Sequence, residues 1–130
     1  MTRTLYDNRN QRVDLGPLRG EGGEGLIFDV VGQPSSLAKI YKKPPDRQKV
    51  EKLKAMPALA RPDLLAAAGW PTATLHQTPQ GSLVGFLMPR APGREAHTLY
   101  GPAHRRKEFP SADWAFLIRA ATNCAIAFDV

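Results

Sequence analysis

Residues 18 to 31, LRGEGGEGLIFDVV, constrain the fold more than any other stretch of the chain. Glycines at 20, 22, 23 and 25 leave a turn almost bare of side chains, and Leu26, Ile27, Phe28, Val30 and Val31 follow at once. Without a Cβ the backbone turns tightly and approaches other groups closely. The run after it is rich in β-branched and aromatic residues and reads as a strand, not a helix. Residues 12 to 19 alternate moderately, with Val13, Leu15 and Leu18, and predict a strand leading into the turn. Strand, glycine loop, strand is the expected order.

Gly20, Gly22 and Gly25 also fit G-x-G-x-x-G, a spacing that brings backbone N–H groups near phosphate oxygens. In a dinucleotide-binding βαβ unit the loop opens a helix whose N-terminus faces the pyrophosphate, and here a strand follows instead. A Walker-type phosphate loop ends in Gly-Lys-Ser/Thr, whereas this one ends Gly25-Leu26. What remains is a hairpin, either structural only or lying over a nucleotide as a flap.

The rest of the chain supplies the setting. GQPSS at 32 to 36 is a turn, and LAKIYK at 37 to 42 reads as a third strand stopped by Pro44 and Pro45, which cannot donate to a ladder. Asp46 is an acceptable N-cap for a helix reaching Met56 before Pro57, with Val50, Leu53 and Met56 as its apolar stripe and Glu51 at the stripe's edge. Residues 58 to 70 hold a short helical piece. TATLHQ and SLVGFLM flank the turn TPQG as a second hairpin, and PRAPGREAH is a linker. From Ser111 onward, Trp114, Leu117, Ile118, Ala121, Cys124, Ala125 and Phe128 recur at helical spacing and predict a buried helical face. The sequence stops within that helix with nothing capping it after Val130, which predicts a longer parent chain.

A length of 130 residues suits one domain that buries roughly two-thirds of its unfolded surface. One cysteine excludes an internal disulfide, no signal-peptide core opens the chain, and no run approaches the roughly 18 apolar residues of a membrane span. A cytoplasmic location without a membrane is the expectation. The net charge of +6 is concentrated: residues 39, 42, 43, 47, 49, 52 and 54 are basic, against Asp46 and Glu51. Such a segment attracts nucleotide phosphates, nucleic acid or an acidic partner, or is simply a solvated face. No aromatic platform interleaves with the charges, which argues against nucleic acid. His76, His97 and His104 lie far apart without a cluster at ligand spacing, so no metal site is expected. Cys124 falls on the apolar stripe and reads as packing, not as a nucleophile.

Taken in order, these features resemble the small lobe of a protein kinase. The matching residues are Gly20, Gly22, Gly25 and Ile27 in G-x-G-x-x-G-x-[VI], Ala38-Lys39 on the third strand, Glu51 on the helix, and GFLMPRAPG where a hinge would lie. More narrowly, LGPLRGEGGEG, LAKIYKK, EKLKAM and GWPTATL resemble bacterial kinase-like proteins of tellurite-resistance-linked operons, which accompany von Willebrand A-domain and PP2C-type phosphatase proteins. The resemblance implies an α+β fold: a five-stranded antiparallel sheet with one regulatory-type helix, then a linker and the first long helix of a large lobe. It divides the chain into an N-terminal extension (1–11), the lobe (12–92), and the linker with a truncated helix (93–130).

It also implies a chemistry, that of a Ser/Thr-type kinase. Gly20, Glu21, Gly22, Gly23 and Gly25 would form the flap over ATP, Lys39 would meet its α- and β-phosphates, and Glu51 would hold Lys39 through an ion pair. Ile27 and Ala38 would enclose the adenine. The carbonyl of Met88 or Pro89 and the N–H of Arg90 or Ala91 would bond its edge. Magnesium ligands and the catalytic base are expected beyond these residues, so the fragment alone is expected to be inactive. Taken singly, Lys39 is a strand-end lysine with Lys42 and Lys43 as rivals, and Glu51 a surface residue beside Arg47 and Lys54. A pseudokinase or a basic interaction module is the alternative. The apolar face of 111–130 is expected to be covered by a large lobe or by a second copy of the chain.

Overall fold

The computed structural model describes residues 3–91 and 99–129. They form two compact units, divided between Arg90 and Ala91.

The first unit is built on β1 (Thr4–Asp7), β2 (Arg12–Glu21), β3 (Gly25–Val30), β4 (Ser36–Tyr41), β5 (Ala73–His76) and β6 (Leu83–Pro89). Every pairing is antiparallel, and the order β1-β2-β3-β4-β6-β5 closes on itself as a barrel. This corrects the expectation of a five-stranded kinase-lobe sheet with a single helix. The five expected strands are present, but Thr4–Asp7 adds a sixth. Leu5 and Tyr6 pair with Val13 and Arg12 on one side, and Tyr6 and Asp7 with His76 and Leu75 on the other. An open sheet would leave β2 and β5 as edges with unpaired backbone groups, which closure removes. The same strand places Leu5 in the interior at 1% exposure. The β1–β2 turn is held by the Asp7 carboxylate, which accepts from the N–H groups of Arg9 and Gln11 at 2.8 and 2.9 Å. Asn10 takes the left-handed conformation there (φ 61°), which its short polar side chain tolerates.

Alternation sorts the strand residues into two layers. Leu5, Val13, Leu15, Val30, Ala38, Ile40, Leu75 and Leu87 fill the barrel interior. On the outer side Leu83 and Phe86 pack with Leu53 of α1 (Arg47–Ala55), with Tyr41, Val50, Met56 and Met88 around them. Truncating any buried leucine of this kind to alanine costs about 2–5 kcal/mol. Asp46 caps α1, its carboxylate accepting from the Lys49 N–H at 2.8 Å. A 3-10 turn (Met56–Leu59) and α2 (Pro62–Ala67) continue the segment. The Trp70 indole N–H bonds the Met56 carbonyl at 2.8 Å, satisfying an acceptor left over at the helix end.

Strand β4 is approached closely from both sides. A Cβ at Gly25 would lie 2.6 Å from the Ile40 carbonyl oxygen, and one at Gly85 would lie 2.0 Å from that of Lys39. Only glycine fits either position.

The second unit contains α3 (Pro102–Glu108) and α4 (Trp114–Phe128). Asp113 caps α4 by accepting from the Phe116 N–H at 2.9 Å, and the Phe109 and Phe116 rings lie 6.0 Å apart. Trp114, Ile118, Ile126 and Phe128 are exposed, and so is Cys124, which the spacing had placed in packing. Among the described residues no helix is long and apolar enough to cross a membrane.

Candidate functional site: the glycine hairpin and its lysines

Gly22, Gly23 and Glu24 join β2 to β3, and the Gly22 N–H bonds the Gly25 carbonyl at 2.9 Å across the turn. None of the four hairpin glycines uses the left-handed region, which among the described glycines is occupied by Gly32. Gly25 is required by its contact with β4. Gly20 and Gly23 are different: a Cβ there would meet nothing within 4 Å, and one at Gly22 would touch only the Gly25 oxygen at 4.0 Å. The fold itself does not ask for glycine at these three places.

Lys39 lies on the outer face of β4, opposite Ile27 on β3 and Phe86 on β6. Its ammonium is 5.6 Å from the Tyr41 ring centre and 6.0 Å from that of Phe86, distances at which aromatic faces attract a cation. The ion-pair partner of Lys39 is Glu24, at the tip of the glycine hairpin, with Nζ 3.5 Å from Oε2. The other oxygen of Glu24 accepts from Lys49 of α1 at 3.2 Å, and Lys49 lies 4.6 Å from the Tyr41 ring centre. One carboxylate therefore bridges two lysines. The Lys49 hydrogen bond, then the charges of Lys49 and Lys39, hold the Glu24 carboxyl below the usual carboxylate range. Glu21 is likewise lowered by its hydrogen bond to Lys42. A cleft of about 330 Å³ runs beside the hairpin, between Gly23, Glu24, Tyr41, Pro45 and Lys49.

The other predicted site residues are distributed as follows. Ile27 shares the outer face with Lys39, but Ala38 is fully buried in the barrel interior, on the opposite face of β4. Leu37, two residues before Lys39, lies on the Lys39 side and is paired with Met88. Glu51 is 67% exposed and pairs with Arg47 one turn earlier, at 3.3 Å, so the structure does not bring it to Lys39. Pro89 pairs with Ser36 at the end of β6. The Arg90 N–H is taken by the Ser35 carbonyl at 2.8 Å, while its guanidinium bonds the Pro34 carbonyl and the Asp29 carboxylate. Ala91 is exposed and begins the second unit.

Glu24, Lys49 and Leu37 are the residues that sequence reasoning missed. Leu37 was accessible, because period-two alternation puts residues 37 and 39, not 38 and 39, on one face. Glu24 and Lys49 meet across the fold and carry no local signal.

His76 is a satisfied buried residue. Its Nδ1 donates to the Gly81 carbonyl at 2.9 Å, since a carbonyl can only accept, and its Nε2 accepts from the Thr74 hydroxyl at 2.8 Å. No group of three or more His, Cys, Asp or Glu among the described residues is arranged to hold a metal. His97 and the linker residues 92 to 98 lie outside the described residues.

No family model and no solved structure matches the chain. Similar curated proteins include protein kinase YegI of Escherichia coli O157:H7, 43% identical over 129 residues, which is 98% of this chain and 20% of that protein. Protein kinase YegI of Escherichia coli strain K12 is 41% identical over 125 residues, 95% of this chain and 19% of that one. The chain thus spans about a fifth of the length of the curated relatives it matches. This similarity supports a kinase-like protein.

Proposed function

We propose that this chain is the ATP-binding part of a kinase-like protein, with the β2–β3 hairpin lying over the triphosphate and Lys39 beneath it. The observation that carries this reading is the mismatch at the hairpin: Gly20, Gly22 and Gly23 leave open space that the fold does not use, directly beside a strand lysine. Backbone N–H groups free of any Cβ can close on phosphate oxygens there. Phosphoryl transfer asks the protein mainly for positioning and charge neutralisation, and Lys39 supplies charge in a setting flanked by two aromatic rings. Ile27, Leu37 and Met88 form the apolar neighbourhood on the same face, suited to an adenine ring. Transfer itself requires a base and magnesium ligands, and we assign neither to the described residues.

Nucleic acid binding through the basic segment is the weaker reading. Lys39, Lys42 and Lys49 are engaged by Glu21 and Glu24, which removes much of the field that a polyanion would follow.

The test is equilibrium binding of a fluorescent ATP analogue to the chain and to Lys39→Ala. Loss of a charge-assisted contact worth about 1.5–3 kcal/mol lowers affinity roughly tenfold or more. Identical affinities, or no competition by unlabelled ATP, would remove Lys39 from the site.

A further inference from the structure

The Glu24 carboxylate has an unusual address. It sits at the tip of the glycine hairpin, 64% exposed, yet each of its oxygens is held by a lysine from a different element: Lys39 from β4 at 3.5 Å and Lys49 from α1 at 3.2 Å. Two ammonium groups flanking one ring, Tyr41, repel each other unless an anion lies between them. In this structure that anion is Glu24. A phosphate oxygen offers the same charge and the same acceptor geometry, and the cleft beside the hairpin opens onto Lys49, Glu24 and Gly23.

We propose that Lys39 and Lys49 together form a two-lysine polyphosphate site, and that Glu24 is its built-in competitor, occupying the site until a ligand's phosphates displace it. The proposal rests on the nucleotide reading for the identity of the ligand, but its chemistry is that of any polyphosphate. Lys49 thereby becomes a second phosphate-binding residue. When the site is empty Glu24 offsets the repulsion between the two lysines, at a cost in ligand affinity. Because both pairs are solvent-exposed, the competition is shallow and sensitive to salt.

The experiment is calorimetric titration of the chain, Glu24→Gln, Lys49→Ala and the double variant, with ATP and separately with inorganic tripolyphosphate, at low salt and without divalent metal. Glu24 is exposed, Lys49 is half-buried and neither belongs to a core cluster, so unfolding midpoints should stay close to the wild-type value and serve as the check on folding. Glu24→Gln is expected to tighten both ligands by about three- to tenfold, and Lys49→Ala to loosen both by a similar factor. The gain from Glu24→Gln should shrink when Lys49 is absent and fade as salt rises. If ATP binds and depends on Lys39 while Glu24→Gln and Lys49→Ala stay within twofold of wild type, the inference fails and the nucleotide reading stands. Weaker binding by Glu24→Gln also overturns it. If tripolyphosphate shows the expected pattern and ATP binds no more tightly than tripolyphosphate, the nucleotide reading fails and the two-lysine site stands. Binding of neither ligand sinks both.

Discussion

Replacing Gly25 by alanine separates the structural glycine of the hairpin from those left to a ligand. An ideal Cβ at Gly25 lies 2.6 Å from the Ile40 carbonyl oxygen and 3.2 Å from its carbon, whereas ordinary contact begins at 3.4 Å. The obstacle is backbone, which cannot rotate away as a side chain would, so β3 and β4 must part by the better part of an ångström. Overpacking of this kind costs about 1–3 kcal/mol, and the rigid neighbour puts Gly25→Ala in the upper half of that range. For a domain of this size that loss lowers the unfolding midpoint by roughly 10–20 °C. Gly20→Ala and Gly23→Ala meet open space and should stay within about 0.5 kcal/mol of wild type, because a surface methyl strains nothing. Thermal unfolding followed by far-ultraviolet circular dichroism measures all three. If Gly25→Ala melts with wild type, the close approach to β4 is not what requires glycine. The nucleotide reading adds the converse: Gly20→Ala and Gly23→Ala should weaken ATP binding without moving the midpoint.

Two further substitutions test the electrostatics and the capping. The Asp29 carboxyl is held below the usual carboxylate range first by its hydrogen bond to Arg90 and also by Arg19, so the unfolded chain binds more protons near pH 4 than the folded one. Its contribution to stability is complete above about pH 5, begins to fall near the unfolded carboxyl's value of about 4, and is lost as acid protonates the folded carboxyl. Asp29→Asn should therefore flatten the fall in urea midpoint between about pH 5 and pH 3, and parallel curves for variant and wild type would count against the pairing. Asp46→Ala removes the acceptor for the Lys49 N–H and should cost α1 about 1 kcal/mol in chemical denaturation; an unchanged midpoint would show that the cap is dispensable.

The closed barrel was not legible, but five of its six strands were, because their signals are local. The glycine turn, the alternation in β2 and β4, Asp46 ahead of α1 and the TPQG turn each follow from residues a few positions apart. The missing strand was short: TLYD buries only Leu5 deeply and pairs with residues at both ends of the sheet. Its one clue was the turn-prone DNRN between two apolar stretches, where Asn10 does adopt a left-handed conformation. At the candidate site, the place of Lys39 on a strand was legible, whereas its carboxylate partner was not. A helix glutamate twelve residues downstream looked closer in sequence than Glu24, but the hairpin folds back over β4, and Glu51 points instead along its own helix to Arg47. The pairing of Glu24 with Lys39 and Lys49 is a long-range fact of the fold, which no window of sequence contains.

The closure of the barrel has a kinetic side. The seam between β1 and β5 rests on two residue pairs, Tyr6 with His76 and Asp7 with Leu75, and on the reach of the Gln80 N–H to Asn10 across a separation of 70 residues. Every other neighbouring pair of strands is joined by more paired positions, and most are consecutive in the chain. The seam therefore demands the longest loop for the least ladder, so it is the last join to form in folding and the first to breathe in the native state. The barrel behaves as a sheet fastened by a short clasp, and its cooperativity is thinnest where the chain begins.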